Sequence, residues 1–134
     1  MARTDVHREM KEMFGEVIGF VDLIPDQFID SEWDLMKRVQ FGQTLIPNKY
    51  KELIGLAVSG ATRCRYCAYF HTEAARLFGA TDEEITEASL IAKNTMAWST
   101  FLNAMAYDFD EFRREFDRIA EHVRAQMMEV PAPA

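Results

Sequence analysis

Residues 52–79 read ELIGLAVSGATRCRYCAYFHTEAARLFG, and almost every side chain capable of chemistry at neutral pH is gathered in them. Both cysteines of the chain lie here, as Cys64-Arg65-Tyr66-Cys67, with His71 after them and Glu52 before them. Two cysteines three apart, with no others in the chain, point to a redox pair. The flanking apolar residues recur at helical rather than alternating spacing, so the stretch predicts two consecutive helices broken near Gly60. If the second helix starts at Thr62, Cys64, Cys67 and His71 recur at +3 and +7 and share one face. The two Cα atoms would then lie roughly 5 Å apart, within the range a disulfide tolerates. Thr62 as N-cap would put Cys64 in the first turn, where backbone N–H groups and the helix dipole favour a thiolate. Arg63 and Arg65 would add positive charge beside it.

One such helper is insufficient. Bringing a free thiol of pKa about 8.5 to half ionisation at pH 7 takes about 2 kcal/mol, whereas a helix terminus supplies about 0.3 to 1 kcal/mol. His71, four residues beyond Cys67, is within reach as proton acceptor or imidazolium partner. Glu52 can orient that histidine or relay its proton through water; the alternative for this carboxylate is a solvated helix position. Tyr66 and Tyr69 are candidate pocket residues beside the thiols, or else pack into a neighbouring helix.

The pattern of a glutamate, eleven residues, then C-x-x-C-x-x-x-H resembles the signature of the alkylhydroperoxidase D-like (AhpD-like) branch of the carboxymuconolactone decarboxylase superfamily. Glu52, Cys64, Cys67 and His71 match it at every spacing, and Lys51-Glu52-Leu53-Ile54, Tyr66 and Gly79-Ala80-Thr81-Asp82-Glu83-Glu84-Ile85 are also similar to it. The detailed likeness covers about residues 47 to 106. Some members place a second histidine between the cysteines, where this chain has Tyr66. The resemblance implies an all-α bundle of about six helices assembled as a homotrimer or hexamer. It implies a thiol-dependent peroxidase or disulfide oxidoreductase with catalytic Glu52, Cys64, Cys67 and His71. It also implies no bound cofactor, electrons coming from an external thiol of dihydrolipoyl or thioredoxin type. In that reading Cys67 attacks peroxide and Cys64 exchanges with the donor, although helix position by itself assigns the more acidic thiol to Cys64.

Length and charge set outer bounds. At 134 residues the chain fits a single domain, expected over 1–130 with a frayed tail at 131–134. A net charge of -7 argues against a nucleic-acid partner. There is no run of 18 apolar residues for a membrane, and the opening MARTDVHREMKEM has no hydrophobic signal region. A cytoplasmic location is therefore expected, where a paired dithiol is more often catalytic or metal-binding than structural.

In chain order, Val6, Met10, Met13, Phe14, Val17, Ile18 and Val21 form a first helical stripe across Gly15 and Gly19. Pro25 suits a first helical position, and Phe28, Ile29, Trp33, Met36 and Val39 mark a second helix ending near Gly42. Pro47 opens a third, and Gly79 closes the cysteine helix. Thr81-Asp82-Glu83-Glu84 forms a capping box for a long helix. That helix carries Trp98, Phe101, Leu102 and Met105, with Ala92, Thr95, Met96, Ser99, Ala104 and Ala106 on its other faces. A helix apolar or small on most sides is normally buried on most sides, so an oligomer is expected. Phe109, Phe112, Phe116, Ile119, Val123 and Met127 make the last helix amphipathic. His7 and His122 read as surface residues. Two further function classes fit the same text: a non-redox lactone decarboxylase of the same superfamily, and a zinc-binding or structural module. Zinc usually takes two paired-ligand knuckles, and only one is present.

Overall fold

The structure, a computed structural model, describes residues 1–129, so the tail expected to fray lies outside the described residues. Its elements are α1 (Arg3–Phe14), a 3₁₀ turn (Gly19–Leu23), α2 (Asp26–Leu35) running directly into a π turn (Met36–Phe41), α3 (Asn48–Thr62), α4 (Arg65–Leu77), α5 (Asp82–Ala104) and α6 (Phe109–Glu129). The all-α class and the six α-helices among the described residues agree with the sequence pattern.

The boundaries differ from expectation at several points; among them, α5 ends at Ala104, so Met105 and Ala106, the latter left-handed at φ 49°, lie past the helix on which the sequence placed them. The first apolar stripe is not one helix. Gly15 takes a left-handed conformation, φ 78°, and its N–H bonds back to Lys11, which closes α1 at Phe14. Val17 and Ile18 then reach the core from outside any α-helix, and Val21 does so from the 3₁₀ turn. Gly60 does not end α3. The helix continues to Thr62, whose hydroxyl donates to the Val58 carbonyl, and stops at Arg63, held left-handed at φ 55°. Thr62 therefore does not cap α4, and Cys64 does. Both prolines lie just outside their helices, Pro25 as the residue before α2 and Pro47 as the residue before α3.

The chain forms two compact units, one spanning Met1–Ala92 and one beginning at Lys93. The first holds a core of Val6, Met10, Val21, Ile29 and Trp33, with Val17, Ile18, Ile24, Met36 and Phe41 packed around it. Trp33 is tied to α1, because its indole N–H donates to Glu9, which also takes a bond from Lys37. The Lys37 and Trp33 donors, together with the Lys37 charge, hold the Glu9 carboxyl below its ordinary range. Leu56 and Ser59 of α3 and Ala74 and Ala75 of α4 are buried where these two helices pack.

At the end of this unit, Thr81 and Glu84 form the expected capping box, each backbone N–H donating to the other's side chain at 2.9 and 3.1 Å. Glu84 also accepts from Lys49 of α3 at 3.0 Å. In the second unit, Tyr107 donates to Glu115, and Phe112 packs against Phe116. Phe109, Phe116, Ile119, Val123 and Met127 of α6 are exposed.

Candidate functional site

Three elements of the first unit meet at Glu52. It sits on the first half of α3, fully buried, and each carboxylate oxygen has its own partner. Oε2 lies 2.6 Å from Nδ1 of His71 on α4, and Oε1 accepts from the side-chain amide of Gln40, in the π turn, also at 2.6 Å. A polar group removed from water is tolerable only when it is hydrogen-bonded, and both oxygens of Glu52 meet that condition. The solvated alternative for this carboxylate is thus excluded.

The imidazole of His71 packs edge-on against Phe70, which in turn meets Phe41. It also lies against the backbone of Gly55, one turn beyond Glu52 on α3. A β-carbon at position 55 would fall 2.5 Å from Nδ1 and 2.6 Å from Nε2 of His71. Only glycine allows this approach. With Nδ1 committed to Glu52, Nε2 is the nitrogen left for proton transfer.

Cys64 and Cys67 are joined as a disulfide, their Cα atoms 5.3 Å apart, as the three-residue spacing requires. Cys64 is the N-cap of α4, and the backbone N–H of Cys67 points at its sulfur at 3.2 Å. Of the two flanking arginines, Arg65 lies over the Tyr66 ring, 5.2 Å from its centre.

Two cavities open onto this site, and Cys67, His71, Gln40 and Val39 line both. The larger, about 720 Å³, is walled by apolar side chains that include Phe14, Ile18, Leu35, Met36, Phe41 and Phe70. Tyr66 also lines it, whereas Tyr69 lines neither cavity and is largely exposed. The second, about 630 Å³, carries Arg38, Lys51, Thr44 and Thr62. Cys64, half-buried, lines neither.

The structure thus brings Glu52, Cys67 and His71 to one place with Cys64 adjacent, and adds Gln40 and Gly55. A glycine in mid-helix costs about 1 kcal/mol relative to alanine, a signal of close approach that Gly55 gives in the sequence. Gln40 gives none. His7 bonds to Asp22 at 2.8 Å, and His122 is exposed, so both stay outside the site. Among the described residues no group of three or more histidine, cysteine, aspartate or glutamate side chains is arranged to hold a metal ion. No helix among them is long and apolar enough to cross a membrane.

The profile of the carboxymuconolactone decarboxylase family matches residues 27–108. A protein of Paracoccus denitrificans described as uncharacterized protein 4 in cox locus is 33% identical over 76 residues, 57% of this chain and 68% of that protein. The crystal structure of the alkylhydroperoxidase AhpD core from Rhodospirillum rubrum ATCC 11170 is similar, with a TM-score of 0.64 and 26% identity over 81% of this chain and 82% of that one.

Proposed function

From the premise that the chain belongs to the carboxymuconolactone decarboxylase family, with an AhpD-like fold, we propose that it is a thiol-dependent peroxidase acting on organic hydroperoxides. The observation that carries this reading is the position of Cys67, whose neighbourhood combines an apolar cavity with the Glu52–His71 pair. The reduced pair starts the cycle. His71 takes the proton of Cys67, and the thiolate attacks the outer peroxide oxygen, forming an S–O bond as the O–O bond breaks. The proton passes to the departing alkoxide, giving an alcohol and a Cys67 sulfenic acid. The Cys64 sulfur then displaces hydroxide, which leaves as water, and the disulfide closes. An external dithiol of dihydrolipoyl or thioredoxin type supplies two electrons to reopen it.

The division of roles rests on access and basicity together. Cys67 is exposed and faces both cavities, whereas Cys64 caps the helix, where its thiolate is stabilised by the Cys67 N–H. A stabilised thiolate is the weaker nucleophile and the better leaving group, which suits the sulfur that exchanges with the donor. Single-turnover consumption of an organic hydroperoxide by the two serine variants tests the assignment. Cys64→Ser should consume about one equivalent and stop as a Cys67 sulfenic acid, while Cys67→Ser should not react at a comparable rate. Consumption that survives in Cys67→Ser and vanishes in Cys64→Ser would exchange the two roles.

Assembly as a homotrimer or hexamer belongs to the same reading, supported by the apolar side chains that α5 leaves exposed. Trp98 and Phe101 are 66% and 55% exposed.

A further inference from the structure

Gln40 has no part in the thiol chemistry of the proposed cycle, yet its amide is one of the two hydrogen-bond partners of the buried Glu52. It reaches that position through a local irregularity. The helix of α2 continues as a π turn over Met36–Phe41. A π turn inserts one extra residue, which rotates the residues beyond it by on the order of 100° about the helix axis. Such insertions are costly and concentrate at functional sites.

The end of this turn is fastened to the helix that bears Glu52. Lys51 donates to the carbonyls of Val39 and Gly42, both at 2.8 Å, and Asn48 donates to the carbonyl of Phe41 at 3.0 Å. Two side chains of α3 thus hold three carbonyls at the end of the turn. These bonds bracket Gln40 on both sides and fix its distance from Glu52.

We propose that Gln40 is a positioning residue that sets the direction of the Glu52–His71 hydrogen bond, and with it the tautomer of His71. The proposal rests on the reading that His71 serves Cys67. An amide N–H can be met only by a lone pair, so Oε1 of Glu52 must face Gln40 as an acceptor. In the ionised carboxylate Oε2 is then the oxygen available to His71, and it accepts from Nδ1–H. The imidazole is thereby held with its proton on Nδ1 and a free lone pair on Nε2, the form that can take a proton from a thiol. Without the Gln40 donor, the carboxyl group can rotate or carry its own proton toward Nδ1, and the tautomer preference is lost. Gln40 lines both cavities beside Cys67 and His71, so its removal also leaves the Glu52 carboxyl open to water.

The test uses reduced full-length protein in a Cys64→Ser background, with and without Gln40→Leu, and needs no peroxide. Nitrogen-15 spectra of histidine-labelled protein report the His71 tautomer, and alkylation by iodoacetamide reports the reactivity of Cys67. The unmodified site should show a protonated Nδ1 and a lone-pair Nε2. Gln40→Leu should average or invert those signals and slow alkylation at least about 10-fold. Unchanged His71 signals, or an unchanged alkylation rate, would overturn the proposal. If Gln40→Leu does not fold, Gln40→Asn, which keeps the amide but is one methylene too short, carries the same two readouts. Because alkylation requires no peroxide, a protein that fails to turn over hydroperoxide yet shows both effects would overturn the peroxidase reading and leave the role of Gln40 standing.

Discussion

Gly55 is the residue where the site is least able to tolerate change. A methyl group there would collide with the His71 ring, so the imidazole must move away from Glu52. In Gly55→Ala the helix propensity gain of about 1 kcal/mol opposes an overpacking loss of about 1 to 3 kcal/mol. Urea denaturation should therefore show a net loss of up to about 2 kcal/mol. Single-turnover peroxide consumption should fall at least about 10-fold, since a displaced base no longer meets the thiol. At Glu52 the expectation is reversed in emphasis. Glu52→Gln keeps the shape but turns an N–H toward His71, and should slow the same reaction by roughly 10²-fold. Glu52→Leu leaves the Gln40 and His71 nitrogens unpaired and should add a stability loss of about 1 to 3 kcal/mol. Glu52, Cys64, Cys67 and His71 were legible in the sequence because each is a reactive residue type in a fixed register. Gln40 was not, because it enters from another element through a π turn that no residue pattern announces. Tyr69, a candidate pocket residue by its place in the sequence, lines neither cavity.

At the scale of the helices, periodicity located every long element, and capping chemistry decided where each stopped. Thr81-x-x-Glu84 was readable because both halves of the box lie within one helical turn of sequence. The end of α3 was not, since Gly60 offered an obvious stop and Arg63 took the left-handed position instead. That later stop moved the cap of α4 from Thr62 to Cys64, which put a sulfur where a hydroxyl was expected. The box also makes a pH prediction. Bonding from the Thr81 backbone N–H, then from Lys49, holds the Glu84 carboxyl below its ordinary value of 4.5. The folded state therefore favours the ionised form, and its stabilisation is complete above that value and lost as pH falls through the lower folded one. Thermal midpoints of wild type and Glu84→Gln should differ most above pH 4.5 and converge in acid. A difference that grows on acidification would contradict the pairing.

For the molecule as a whole, the question posed by its surface is what covers α5. Leu90, Met96, Trp98 and Phe101 of α5 are all exposed, and large apolar side chains clustered in water mark an interaction surface. Light scattering should return three or six times the chain mass of 15.5 kDa, and Trp98→Glu should lower it. A mass near 15.5 kDa at micromolar concentration would remove the oligomer. The all-α class was legible because helical periodicity is written into every segment. Assembly enters from the sequence only as an expectation drawn from an apolar helix, since no sequence pattern counts subunits. The activity itself is tested most directly by steady-state turnover of an apolar organic hydroperoxide with a dihydrolipoyl donor, in wild type and in Cys67→Ser. The proposed cycle predicts sustained donor oxidation, one dithiol per peroxide, in wild type and none above background in the variant. Turnover that persists without Cys67, or a wild type that consumes no peroxide with any dithiol donor, would contradict it.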